Sequence, residues 1–355
     1  MSIDKLARSK ILKLPTINAP EASEEMIRLN ANESPRSLWE NNESLDLNRY
    51  PSVRPTKLFQ HMAKFYNVDP DNVLAIRGST EGIDIIIRTF CEPTKDNIIS
   101  SSPTFDMYQF FSEIHSVDPI DVPLKHDDNF KLEIDEIFDA INDHTKVIFI
   151  TTPNNPTATL VPYDNIMKLL ENQKNKSIIV VDEAYIEFSN SPSMINQINN
   201  FENLIIMRTL SKAFALAGAR CGALIGSQRT IELLKKVVMP FTFSTVISQK
   251  IIQILSSNYR EKIENHIQQI INERERVIST LNQLENVEKI WPSSANFFLV
   301  RFKDTTPIYN AFKENHILVR AFQDEPELKN CARITIGTHD ENNILLEAIK
   351  HSLRL

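Results

Sequence analysis

The chain has 355 residues and only six glycines. Average usage of about 7% would place roughly 25 in this length. A composition that avoids glycine keeps it where a side chain does not fit. Five of the six (Gly78, Gly82, Gly218, Gly222 and Gly226) fall in two short stretches. There are three cysteines, Cys91, Cys221 and Cys331, far apart in the chain. That pattern excludes a disulfide framework and a zinc-ligand spacing, and it suits a reducing compartment. No apolar run approaches the roughly 18 residues that would span a bilayer. Basic residues are in the minority, 39 lysines and arginines against 46 acids, for a formal charge of −7. Neither nucleic acid nor an anionic membrane is expected as a partner, and an anionic ligand must be held by local positive charge. Met1 to Leu6 have no apolar signal core, so a cytoplasmic location is expected.

What is present reads as an ordinary globular enzyme-sized chain, 42% hydrophobic and 24% charged. Short apolar runs, Val73–Ile76, Asn97–Ser100, Lys146–Thr151, Ile178–Val181 and Leu204–Met207, predict buried strands. Helical spacing of apolar residues lies between several of them, as in Ile83, Ile86, Ile87 and Phe90. Strands alternating with helices predict parallel βαβ units, and Cys221–Ile225 predicts one more strand of either direction. A long helical region is expected from about Ser248 to Leu284, interrupted near Ser256-Ser257-Asn258, with its apolar stripe serving as core. Three short strands follow, Phe297–Phe302, Ile317–Arg320 and Cys331–Gly337, in a smaller α+β unit. Residues 1 to about 28 lack periodicity and read as an arm that needs another surface to order it. The expected division is an arm and interface segment over 1–45, a large unit over 46–255 and a small unit over 256–355.

The chemistry is concentrated after the run Leu204–Met207. There the chain reads Thr209-Leu210-Ser211-Lys212-Ala213-Phe214-Ala215-Leu216-Ala217-Gly218-Ala219-Arg220. A lysine is ordinarily a solvated surface group. Here Lys212 has small or apolar neighbours and a cation eight residues on, a setting that lowers a lysine pKa and makes it a nucleophile. Other polar residues stand just past the strand ends, where open α/β sheets line a ligand crevice: Asn155, Asp182, Tyr185 and, at a helix start, Ser79 and Thr80. Taken singly, each has a plain structural reading as a cap, turn or core residue.

Together they match the demands of a pyridine-ring aldehyde with a phosphate tail, pyridoxal 5′-phosphate. Lys212 supplies the amine for a Schiff base. Asp182 keeps the ring nitrogen protonated, so that the ring accepts electrons. Asn155 and Tyr185 hold the phenolic oxygen, and Phe105 offers a face for the ring. Ser79, Thr80, Thr209, Ser211 and Arg220 form the phosphate cup. No metal is implied.

Asn154-Asn155-Pro156-Thr157, Asp182-Glu183-Ala184-Tyr185 and Ser211-Lys212 with Arg220 resemble the fold-type I, class II pyridoxal-phosphate aminotransferases. Leu29-Asn30-Ala31-Asn32-Glu33, Asn48-Arg49-Tyr50-Pro51, Arg208 to Gly218 and Arg333-Ile334-Thr335-Ile336-Gly337-Thr338 are similar to the histidinol-phosphate aminotransferases among them. The resemblance runs from about residue 29 to the C-terminus. It implies a mainly parallel central sheet with helices on both faces, making a pyridoxal-phosphate-binding domain, and a smaller C-terminal domain. It implies small-molecule substrates, histidinol phosphate and the glutamate/2-oxoglutarate pair, in histidine biosynthesis. It also implies a homodimer in which Tyr50 reaches the partner's cofactor phosphate, with Arg320 and Arg333 on the anionic groups of the substrates. The chain departs from the pattern at Ala158 (usually glycine), Ala219 (usually larger) and Phe105 (often tyrosine), and it has no tyrosine before Tyr50. An aromatic aminotransferase or a phosphothreonine decarboxylase on the same fold, a non-enzymatic cofactor-binding regulator, and a phosphate-binding enzyme without pyridoxal are the alternatives.

Overall fold

Seven strands build the main sheet in the computed structural model, which describes residues 3–16, 27–38, 47–256, 259–322 and 325–352. They are β1 (Val73–Ile76), β2 (Asn97–Ser100), β3 (Asp118–Asp121), β4 (Thr145–Thr151), β5 (Ile178–Asp182), β6 (Leu204–Thr209) and β7 (Gly222–Gly226). Their order is β1-β7-β6-β5-β4-β2-β3, parallel from β6 through β3, with β7 antiparallel to both neighbours. Unbroken apolar runs are what a sheet covered on both faces requires. Ile178–Val181 and Leu204–Met207 are accordingly sealed from solvent.

The helices are α1 (Ser9–Lys13), α2 (Thr56–Tyr66), α3 (Ser79–Phe90), α4 (Met107–Ile114), α5 (Ile134–Ala140), α6 (Tyr163–Asn172), α7 (Gln228–Lys235), α8 (Thr245–Leu255), α9 (Arg260–Leu281), α10 (Thr306–Glu314) and α11 (His339–Ser352). Ile83, Ile86, Ile87 and Phe90 make the buried stripe of α3. The expected long helix is two, α8 and α9; Ser257 and Asn258 of its expected break lie outside the described residues. A second, antiparallel sheet has the order β10-β11-β9-β8, from β8 (Val287–Ile290), β9 (Phe297–Phe302), β10 (Arg320–Ala321) and β11 (Cys331–Thr335). Helix α9 joins two apolar clusters, packing Ile263, Ile267 and Ile271 against the large one and burying Val277 and Leu281 in the small one.

One expectation needs correction. Ile317–Val319 do not pair; the strand is only Arg320–Ala321, and Leu318 is 98% exposed. The surface that orders the first described residues is the main core of the same chain. Ile3, Leu6 and Ala7 are buried in the main core, and the Ile3 amide donates to Glu202 Oε2 at 3.0 Å. Residues 17–26 and 39–46 of the expected arm and interface segment lie outside the described residues.

The strand register sets up the site. Thr151 pairs with Asp182, Thr209 with Gly222, and Gly222 with Ile76, so polar residues collect along the carboxyl edge of the sheet.

Candidate active site

Asp182, the last residue of β5, is 3% exposed. Its Oδ2 accepts the Tyr108 hydroxyl at 2.8 Å and its Oδ1 accepts the Ala184 amide at 3.0 Å. Burial pushes its pKa up to about 6, while those two bonds favour the anion. Among the described residues no lysine or arginine is ion-paired to it; Lys212 favours the anion through space. A buried carboxylate with spare lone pairs and no cation is an incomplete arrangement, and a charged N–H would complete it.

Lys212 is half-buried, with Nζ 5.6 Å from the centroid of the Tyr185 ring. Burial lowers its pKa, and the guanidinium groups of Arg333 and Arg220 push the same way, opposed by Asp182. A larger share of neutral amine near pH 7 follows. The lysine opens on a cleft of about 770 Å³ that Arg276, Asn296, Gly337 and His339 help to line. Tyr185 is buried, edge-on to Phe297 at 5.0 Å, and burial pushes its pKa up to about 12, so it stays a donor. Arg333, on β11, lies 5.4 Å from the Phe297 centroid and donates to Asn155 Oδ1. With its oxygen so engaged, Asn155 has its amide N–H groups left to offer.

The anion end is built on close backbone approach. Gly78 has φ +84° and immediately precedes α3, whose first amides have no partner within the helix. A Cβ on Gly78 would sit 2.8 Å from Arg220 Nη2. A Cβ on Gly222 would sit 2.6 Å from the Arg208 carbonyl oxygen and 3.5 Å from Gly78 Cα. These two glycines let the end of β1, the start of α3 and the β6–β7 pair converge under Arg220. Thr209 and Ser211 are there too, the Ser211 amide donating to Thr209 Oγ1 at 3.2 Å. Gly218 does not meet the expectation for scarce glycines: its Cβ direction is open, with nothing within 4 Å.

Three of the expected residues stand at the margin. Arg320 is opposite Arg333 in the β10–β11 register, exposed, and 3.9 Å from Asp106 Oδ2. Phe105 is half-buried and edge-on to Tyr108, with centroids 5.9 Å apart. Tyr50 is 52% exposed, packs 5.0 Å from Phe241 and lines a different cavity from the one at Lys212.

A model of the family described as aminotransferase class I and II matches residues 16–349. The chain belongs to this family. Histidinol-phosphate aminotransferase of Francisella philomiragia is 41% identical over 328 residues, covering 91% of this chain and 88% of that protein. Histidinol-phosphate aminotransferase 1 of Haemophilus influenzae is 38% identical over 352 residues, 99% of this chain and 95% of that one. A solved structure of histidinol-phosphate aminotransferase from Sinorhizobium meliloti, in complex with pyridoxal 5′-phosphate, aligns with a TM-score of 0.78. Its identity is 21%, over 87% of this chain and 84% of that one, a likeness of fold.

The cofactor of this aminotransferase is pyridoxal 5′-phosphate, and the residues present fit it. The unpaired buried carboxylate suits a protonated ring nitrogen, the half-buried lysine suits an aldehyde, and the Gly78 cradle beneath Arg220 suits a phosphate. Sequence reasoning missed Tyr108, which reads as one more core aromatic on α4. It also missed the ion group beneath the Asp182–Tyr185 turn. There Arg208 lies 3.4 Å from Glu183 and 3.6 Å from Glu187, while Glu183 accepts from Ser193 and the Met194 amide. The signal available was two acids four apart around Tyr185, with an arginine at the end of the next strand.

Proposed function

We propose that this aminotransferase transfers the amino group of L-histidinol phosphate to 2-oxoglutarate, giving imidazole acetol phosphate and L-glutamate, in the cytoplasm and as a homodimer. The observation that carries the reading is the likeness to the Francisella and Haemophilus enzymes, 41% and 38% identical over 91% and 99% of this chain.

Bound pyridoxal 5′-phosphate supplies an aldehyde carbon and a ring that takes up electrons from the substrate Cα. The chain's residues divide the remaining work. Lys212 first holds the cofactor and then, freed by the incoming amine, takes the Cα proton as general base. Its lowered pKa leaves the amine neutral more often, as a base must be. Asp182 holds the ring-nitrogen proton. Tyr185 and the amide of Asn155 donate to the phenolic oxygen. Ser79, Thr80, Thr209, Ser211 and Arg220 anchor the phosphate at the start of α3. Arg333 and Arg320 take the anionic ends of both substrates, planar forks matching carboxylate and phosphate. Phe105 backs the ring, and Tyr50 serves the partner's phosphate. Residues 46–255 form the cofactor-binding unit and 256–355 the small unit that carries both substrate arginines.

A substrate panel tests the reading, with glutamate formed from 2-oxoglutarate as the readout. Histidinol phosphate should exceed phenylalanine in kcat/KM by at least about 100-fold, because its phosphate offers the arginine forks a bidentate, charge-assisted partner that the phenylalanine ring lacks. Equal or better turnover of phenylalanine, or carbon dioxide release from O-phosphothreonine, would overturn it. The same assay on mixed Lys212→Ala and Tyr50→Ala chains, each impaired alone, should recover activity if Tyr50 crosses to the partner; no recovery contradicts the shared site.

A further inference from the structure

We infer that Tyr108, supported by Thr151, is a positioning residue for Asp182 that fixes the plane of its carboxylate toward the ring nitrogen of the cofactor. The inference rests on the role given to Asp182 above and extends it to a residue behind the site. The terminal torsion of an aspartate is soft and broadly populated. One hydrogen bond would leave the carboxylate free to swing; here each oxygen has its own anchor. Oδ1 is tied to its own turn by the Ala184 amide, and Oδ2 to α4 by the Tyr108 hydroxyl at 2.8 Å.

The anchor is itself immobilised. Tyr108 is fully buried and stacks on Phe149 with centroids 4.5 Å apart and planes 19° apart, while Phe105 meets it edge-on at 88°. Its hydroxyl has a second partner, Thr151 Oγ1, at 2.8 Å. Proton counting orders the chain. The Tyr108 proton goes to the acceptor-only carboxylate, so the Thr151 hydroxyl donates to the phenolic oxygen. Thr151 is the β4 residue in register with Asp182 on β5, so the sheet itself sets the spacing of donor and acceptor. Burial keeps the phenol protonated, its pKa held well above the ordinary value, so it donates across the whole working range.

The test compares three variants with the parent. Its readouts are the dissociation constant for pyridoxal 5′-phosphate, the pH midpoint of the bound cofactor's visible absorption, and kcat and KM for the amino donor. Tyr108→Phe keeps the ring and removes one bond to a charged acceptor, worth about tenfold in cofactor affinity. It should lower kcat with KM little changed. The absorption midpoint should move up, because a ring nitrogen held less firmly protonated opposes the proton on the Lys212 nitrogen less. Thr151→Val should move the same readouts the same way by a smaller factor, and it decides the matter if Tyr108→Phe does not fold. Asp182→Asn is the control for the underlying reading. If Asp182→Asn shifts the midpoint and neither other variant does, the Tyr108 inference is wrong and the Asp182 role stands. If Asp182→Asn leaves the midpoint in place, the Asp182 role fails and takes the inference with it. A Tyr108→Phe enzyme that loses only thermal stability is a structural effect and overturns the inference.

Discussion

At Lys212 and Asp182 burial acts in opposite senses on opposite charges: it pushes the lysine toward neutral amine and the aspartate toward neutral acid. The consequence for Asp182 can be given a sign. Its folded pKa of about 6 lies above the ordinary carboxylate value, so the native state holds the proton more tightly than the unfolded chain. The associated stability is complete below about pH 4 and is lost as pH rises through 6, about 3 kcal/mol in all. Urea unfolding of the cofactor-free protein from pH 4 to pH 8 should therefore show the parent losing about that much relative to Asp182→Asn. A difference that stays flat across the range contradicts the burial argument. That Lys212, Asp182 and Arg220 lie near one another was legible in the sequence, because each follows an apolar run or a small-residue stretch at the carboxyl edge of the sheet; their roles toward the cofactor remain proposals. Tyr108 was not, since a tyrosine three residues after Phe105 has the spacing of any core stripe; only the register of Thr151 with Asp182 shows what its hydroxyl meets.

At the scale of elements, the strands read from the sequence were those buried on both faces. β3 escaped because Asp118-Pro119-Ile120-Asp121 is a mostly exposed edge strand, where a proline costs no ladder bond. β10 was displaced because Ile317 and Val319 use their apolar side chains to pack on the small cluster without joining a ladder, and pairing begins only at Arg320. The scarcity of glycine proved informative at the β6–β7 pair, where Gly222 faces the Arg208 carbonyl. Backbone does not yield as a side chain tip does. Gly222→Ala should cost about 2 kcal/mol in unfolding free energy by forcing β6 and β7 apart. Gly218→Ala, at an open position, should stay within about 0.5 kcal/mol of the parent. Equal effects at the two sites would contradict the close-approach reading. Ala158 shows the same economy in reverse: it takes φ +60° and is buried, an arrangement that favours glycine yet keeps one methyl packed.

Over the whole molecule, a net charge of −7 is compatible with the proposed anion site because the arginines are placed locally, Arg220 just before β7 and Arg320 and Arg333 opposite each other on β10 and β11. Arg220 approaches from the main sheet and Arg333 from the small one, and α9 carries both apolar clusters on its length. In the proposed function one amine, that of Lys212 just beyond β6, holds the cofactor's aldehyde carbon within the crevice. Its most direct test is to incubate the purified protein with pyridoxal 5′-phosphate, reduce with borohydride, and map the labelled peptide. One label per chain is expected, on Lys212, and none on a Lys212→Ala chain. Label spread over surface lysines, or a single label on another lysine, would contradict it.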